Sequence, residues 1–189
     1  QLRYYLMKEV SHGSDGSISL KSLENCINSD LANNYGNLCQ RVFSFVKNKC
    51  KCKVFKSDKV SKVDMELLNK TKEIIIDAKN SMEDQNLNVY IKSTINISFL
   101  TNKYINDEEP WKLKTTNEEK MNNVLYIALE QIAKISILLS PIIPVSTNKV
   151  LDSLGVKNEK RILSSLDDTA LLNKKDEIKD LNILFKKIL

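Results

Sequence analysis

The sequence predicts an all-α protein, a bundle of about five helices, and three observations carry that prediction. Glycine and proline number only four and three in 189 residues, too few for the tight turns of an all-β chain. Long stretches repeat apolar residues at helical spacing. At 42% hydrophobic the chain has enough apolar surface for a real core.

Leu2 to Val10 reads as a short segment ending in the turn His12-Gly13-Ser14-Asp15-Gly16, with a hinge over Asp15 to Ser19. His12, the single histidine, has no carboxylate or cysteine at ligand spacing and is read as a solvated loop residue. Ser19 is the expected N-cap of a long helix reaching about Val46. Leu31, Tyr35, Leu38, Val42 and Phe45, spaced 4, 3, 4 and 3, form its buried stripe. Asn37 and Arg41 lie one position off that stripe, four residues apart and therefore side by side. Of 29 basic residues only Arg3, Arg41 and Arg161 are arginine, about one in ten, which singles out Arg41.

From Lys47 to Lys62 seven lysines face the single acid Asp58. Such a run is either a solvated connector or a phosphate-tracking patch, in which Lys47, Lys49, Lys51 and Lys53 are the first candidates. Cys50 and Cys52 stand within it as Cys-x-Cys, without the second ligand pair that a closed zinc site needs. Asp64 is expected to cap a second helix through about Glu83, with Met65, Leu68, Ile75, Ala78 and Met82 on its inner side. A third is expected from Leu87 to Ile105, ending before Pro110, so that Trp111 emerges just beyond a helix end. Thr116 and Glu119 suggest a capping box for a fourth. Its seam is Met121, Leu125, Ala128, Ile132, Ile135 and Leu139, spaced 4, 3, 4, 3 and 4. Pro141 and Pro144 break that helix and lead to a shorter one over Ser146 to Leu154 that stops at Gly155. The chain then turns polar and closes on the apolar tail Ile183 to Ile188, for which the pattern offers no partner inside the bundle.

The formal net charge of +5 and pI near 8.9 are compatible with a nucleic-acid partner. Four cysteines without a regular framework point to a reducing, cytoplasmic setting, and no apolar run suggests a membrane span. A glycine-rich phosphate loop, a histidine with a catalytic partner and a metal motif are all missing, so no catalytic residue and no metal ligand is assigned. What remains is a recognition problem: an Asn/Arg pair, a lone tryptophan and a lysine run.

The phrases LRYYL (2–6), DGSIS (15–19), NSDLANNYGNLCQR (28–41), NKYINDEEPW (102–111), LLSPIIP (138–144) and LFKKI (184–188) resemble, in order, the methionyl-tRNA synthetase family. The resemblance implies the C-terminal anticodon-binding bundle over 17–155. The end of a stem-contact segment would occupy 1–16, and a helix or tail over 156–189 would fold back toward the catalytic domain. It further implies that Asn37, Arg41 and Trp111 bind the anticodon of tRNA(Met), with Trp111 stacking on a base. The family's adenylation signatures lie upstream of the LRYYL segment, and the chain opens on Gln1, so it is read as a piece of a longer enzyme. This piece is expected to be catalytically inactive alone and to hold no cofactor. ATP, Mg2+ and a zinc site belong by resemblance to the full enzyme. A helical protein-interaction module, or the equivalent domain of another class I synthetase, are the alternatives. Where the family carries a proline in the closing tail this chain has Lys186, which puts docking of the tail on the catalytic domain in question.

Overall fold

In a computed structural model, residues 1–11, 13–57, 59–167, 170–172 and 177–188 are described; His12 and Asp58 lie outside them. The short segment at the start is a helix, α1 (Leu2–Glu9), which buries Tyr4 and Tyr5 against the rest of the chain.

The long helix α2 covers 20–50 and is not α-helical throughout. Ser19 caps it as expected, its hydroxyl accepting the Ser22 N–H at 3.1 Å. It is α-helical over Leu20–Cys26, π-helical over Ile27–Gly36, and α-helical again over Asn37–Cys50. Ten π residues in succession are unusual, since π geometry mostly appears as single-turn bulges. Gly36 permits it: a Cβ there would stand 2.6 Å from the Leu31 carbonyl oxygen and 3.1 Å from the Phe185 ring. The expected stripe survives through Leu31, Tyr35, Leu38 and Val42, all buried. Phe45 is only half-buried, because Phe43 and Val46 take over the inner face. Each such fully buried side chain contributes about 1.5–3 kcal/mol. The helix ends in two left-handed residues, Lys51 and Cys52.

Helix α3 (Lys62–Glu83) is capped by Ser61 rather than Asp64. The two residues form a capping box, the Ser61 hydroxyl accepting the Asp64 N–H and the Asp64 carboxylate accepting the Ser61 N–H. Its inner side is Asp64, Leu67, Thr71, Ile75 and Ala78, whereas Met65 is exposed and Leu68 and Met82 sit at the edge. Helix α4 (Leu87–Glu108) packs along α3 and extends one turn past the expected end. Glu109 then turns left-handed at φ 44°, and Pro110 opens a helix the sequence pattern does not reveal, α5 (Pro110–Thr116).

Helix α6 (Glu118–Leu139) is the central rod, with the whole predicted seam buried. Its cap is Asn117, whose side chain accepts the Lys120 N–H at 3.0 Å. Thr116 instead closes α5 and donates to the Lys112 carbonyl, while the Glu119 carboxylate accepts from Lys59 and Ser57 at 2.9 Å each. Helix α7 (Pro144–Ser153) ends at Leu154, followed by Gly155 at φ 71°.

The closing tail does find partners inside the bundle, contrary to expectation. Leu171 and Leu172 N–H groups donate to the buried Glu130 carboxylate. Ile178 N–H donates to the Cys52 carbonyl, and the Lys179 N–H to that of Ser153. The Phe185 ring packs 6.3 Å from Tyr35, and Asn28 exchanges two 2.9 Å hydrogen bonds with the Ile188 backbone. These anchors lie from 26 to 160 residues away in sequence, and several are polar groups or backbone that hydropathy spacing does not show.

Candidate nucleic-acid interface

The N-terminal side of α2 is fastened before it reaches the site. In its π segment Asp30 is buried and accepts from the Tyr4 hydroxyl at 2.8 Å, with the Lys8 ammonium also at 2.8 Å. Burial, the Asp30 charge and the hydrogen bond to it all hold the Tyr4 hydroxyl protonated far above its ordinary range. One turn on, Asn34 faces α4, and Asn37 and Arg41 follow on the first turns of the restored α-helix.

Arg41 is held by α4. Its guanidinium donates to Asn106 Oδ1 at 2.7 Å and, more weakly, to Asn102 Oδ1 at 3.4 Å. Asn102 and Asn106 are four residues apart and so share a face. Asn102 Nδ2 is anchored in turn to Asn34 Oδ1 at 2.9 Å and the Ser98 carbonyl at 3.1 Å. Two of the five guanidinium N–H donors are thereby used, which leaves three for a ligand. Asn34 is 2% exposed, and its Nδ2 has no hydrogen-bond partner. Asn37 is half-buried, and its amide has no partner among the described residues.

Trp111 completes the group. The left-handed Glu109 and the proline after it turn the chain back, so that Trp111, in the first turn of α5, lies against Arg41. The Arg41 Cζ is 5.9 Å from the ring centroid, within cation–π range. Trp111 is 45% exposed and borders an apolar cavity of about 200 Å³ whose walls include Phe45, Ile105, Pro110 and Leu125. A large aromatic left half in water beside an arginine with spare donors offers a stacking face and a hydrogen-bonding edge together.

The lysine run begins at Lys47, six residues beyond Arg41, a rise of about 9 Å. Lys47 pairs with Asp180 of the tail, while Lys49, Lys51 and Lys53 are exposed and unpaired with any described residue. Burial pushes the Cys50 thiol up, opposed by the charge of Lys114 on α5. All four cysteines are free. Among the described residues no group of three or more His, Cys, Asp or Glu could hold a metal ion, and no helix is long and apolar enough to cross a membrane.

Of the three residues that the sequence singles out, the structure brings Arg41 and Trp111 within cation–π range, and Asn37 lies one turn before Arg41 on the same helix. Sequence reasoning misses Asn34, Asn102 and Asn106. The available signal is the four-residue spacing of Asn102 and Asn106 within NKYIN, a polar pair on an otherwise apolar helix.

Comparison with known proteins identifies the family and the fold. The family described as "Anticodon binding domain of methionyl tRNA ligase" matches residues 54–189, and "tRNA synthetases class I (M)" matches residues 1–43. The methionine–tRNA ligase of Rickettsia felis is 40% identical over 169 residues, which is 88% of this chain and 33% of that protein. That of Rickettsia conorii is 37% identical over 190 residues, 99% of this chain and 37% of the relative. The crystal structure of the apo form of Mycobacterium tuberculosis methionyl-tRNA synthetase superposes with a TM-score of 0.93 at 26% identity, covering 100% of this chain and 38% of that one. The chain thus spans about a third of the length of the proteins it matches.

Proposed function

The chain belongs to the family of anticodon-binding domains of methionyl-tRNA ligases, and from that premise we propose that its Asn37–Arg41–Trp111 groove selects tRNA(Met) by its anticodon. The observation that carries this reading is the half-exposed Trp111 ring lying 5.9 Å from an arginine that α4 holds in place.

An unpaired anticodon base presents a face and a Watson–Crick edge. Trp111 takes the face of the cytosine that opens the CAU anticodon, a stacking contribution of about 1–3 kcal/mol. Arg41, with three donors still free, gives hydrogen bonds to the ring nitrogen and carbonyl of that cytosine, both acceptors. The Asn37 amide oxygen accepts from its exocyclic amine. A uracil at the same place has a protonated ring nitrogen facing Arg41 and a carbonyl where the amine stood, so it loses both matches. Lys49, Lys51 and Lys53, with Lys47 if its pair with Asp180 opens, carry the backbone and give salt-dependent affinity without sequence preference.

Selection here serves chemistry done elsewhere. The full ligase activates methionine with ATP and transfers it to tRNA; ATP, Mg2+ and zinc are assigned to the catalytic half of that enzyme. By the family resemblance, residues 1–16 and the tail beyond 155 would meet that half, and the work is assigned to the cytoplasm.

The test is a titration of the chain with a fluorescently labelled CAU anticodon stem-loop. Wild type is expected to bind, and Trp111→Ala to bind roughly 5- to 100-fold more weakly. Equal binding by both removes the assignment and favours a protein-interaction module. Tighter binding of a stem-loop with another anticodon assigns the bundle to a different class I synthetase.

A further inference from the structure

The described residues leave three aromatic side chains half in water: Phe55 in the lysine run, Trp111, and Phe99 at 50% exposure. Every tyrosine is buried, so an exposed ring on this bundle is an exception. Phe99 stands on α4 seven residues before Asn106, the residue that holds Arg41. Seven residues fall about 20° short of two full turns, so Phe99 and Asn106 lie on nearly one line, about 10 Å apart along the helix. Lys92, Asn96 and Lys103 continue that line at spacings of 4, 3 and 4 around Phe99, and all are exposed.

The line borders a groove between α4 and the π segment of α2. Rising along α2 matches rising along α4: Asp30 lies across from Phe99, Asn34 bonds Asn102, and Arg41 bonds Asn106. Below Phe99 the groove opens into a surface cavity of about 420 Å³, walled by Lys8, Asp30, Lys92, Ser93, Asn96 and Phe99. The only carboxylate in this wall is already taken by Lys8 and Tyr4, which leaves Lys92 to set the sign of the surface. The cavity thus sets a bare aromatic ring beside the exposed Lys92, on the same line of α4 that carries Asn106 and, through it, Arg41.

We propose that Phe99 is a second stacking platform, which takes another unpaired base of the same RNA loop whose first anticodon base lies on Trp111. Lys103 and Lys92 flank the ring where the phosphates on either side of that base pass, and Asn96 offers an amide to its edge. Any base has a face to stack, so the platform adds affinity with little sequence preference. An occupant of this chemistry follows from the shared line: a strand leaving Trp111 and running along the exposed side of α4 past Asn106 meets Phe99 about 10 Å on. This inference rests on the reading of the Arg41–Trp111 groove as an anticodon site.

The test titrates the labelled CAU stem-loop, and versions of it made abasic at each unpaired position in turn, against wild type, Phe99→Ala, Phe99→Tyr and Trp111→Ala. Phe99→Ala is expected to weaken binding of the intact loop roughly 5- to 100-fold, with Phe99→Tyr restoring it. One abasic loop should bind Phe99→Ala and wild type alike, and a different abasic loop should cancel the effect of Trp111→Ala. The platform is overturned if Phe99→Ala binds as wild type does while Trp111→Ala is weakened. It is overturned equally if the Phe99→Ala loss persists with every abasic loop, or if one abasic position cancels both variants. Should neither variant change binding, the parent reading fails and the platform with it.

Discussion

Two polar networks meet the same turn of α4 from opposite sides, and they differ in how completely they are satisfied. On the inner side Tyr104 donates to Asp64 at 2.6 Å, Asn123 donates to the same carboxylate at 2.9 Å, and the Ser61 N–H at 2.8 Å. Asp64 is 2% exposed, and each of its two oxygens has a donor. Burial and the adjacent Asp64 hold the Tyr104 hydroxyl protonated far above its usual range. On the outer side Asn102 and Asn106 hold Arg41, with one of the two bonds stretched to 3.4 Å, an unpaired Asn34 nitrogen behind it and a free Asn37 amide beside it. A closed network gives a fold its register, whereas an open one has capacity left for a ligand. Residues 102, 104 and 106 serve both, separated only by which way each side chain points.

The largest expected effect breaks the closed side. Asp64→Ala strands three donors at once, each costing about 1–3 kcal/mol. The thermal midpoint should fall by roughly 10 °C, at about 2–4 °C per kcal/mol for a chain of this size. Circular dichroism melts check this, and an unchanged midpoint would mean that the network does not hold the fold.

Breaking the open side should leave the fold alone. Arg41→Ala removes a partly buried side chain with two hydrogen bonds at the edge of the bundle, so the midpoint should move by no more than the equivalent of about 1–2 kcal/mol. Stem-loop affinity, in contrast, should fall by the equivalent of about 1–3 kcal/mol, as for loss of one well-made hydrogen-bonding contact to a base edge. A large loss of stability in this variant would place Arg41 with the structural network instead.

A smaller effect separates charge from reading. Replacing Lys49, Lys51 and Lys53 together with Gln should weaken matched and mismatched stem-loops alike. It should also reduce the slope of log affinity against log salt by about 0.7–0.9 per lost phosphate contact. A change in the ratio between stem-loops would show that these lysines read bases. The smallest effect is expected from Tyr104→Phe, which removes one donor from Asp64 and costs about 1 kcal/mol in a urea titration without altering stem-loop affinity.

The apolar half of this comparison is legible in the sequence, because spacing reports which side of a helix is dry. The seam of α6 and the stripe from Leu31 to Val42 are read directly. The π segment is not, since the same 4 and 3 spacings fit either winding and only the close approach of the Leu31 carbonyl to Gly36 distinguishes them. Caps slip by one to three residues where several candidates adjoin, as with Ser61 and Asp64 or Thr116 and Asn117. Arg41 and Trp111 stand out as rare residue types, and the family resemblance names them. Asn102 and Asn106 do not stand out, because asparagine is common in this chain and their meaning depends on a helix some sixty residues away. The partners of the tail are hidden for the same reason: Asn28 and Glu130 bind backbone groups, which every residue carries.

The central claim is that the open network around Arg41 reads the first anticodon base, and it is tested most directly by a ratio. Dissociation constants of the chain would be measured for two stem-loops that differ only in C or U at that base, with wild type and with Arg41→Ala. Wild type should favour C by about 1–3 kcal/mol, and in Arg41→Ala that preference should shrink to the part Asn37 supplies while Trp111 still supplies stacking to both loops. An unchanged preference for C in Arg41→Ala would contradict the account.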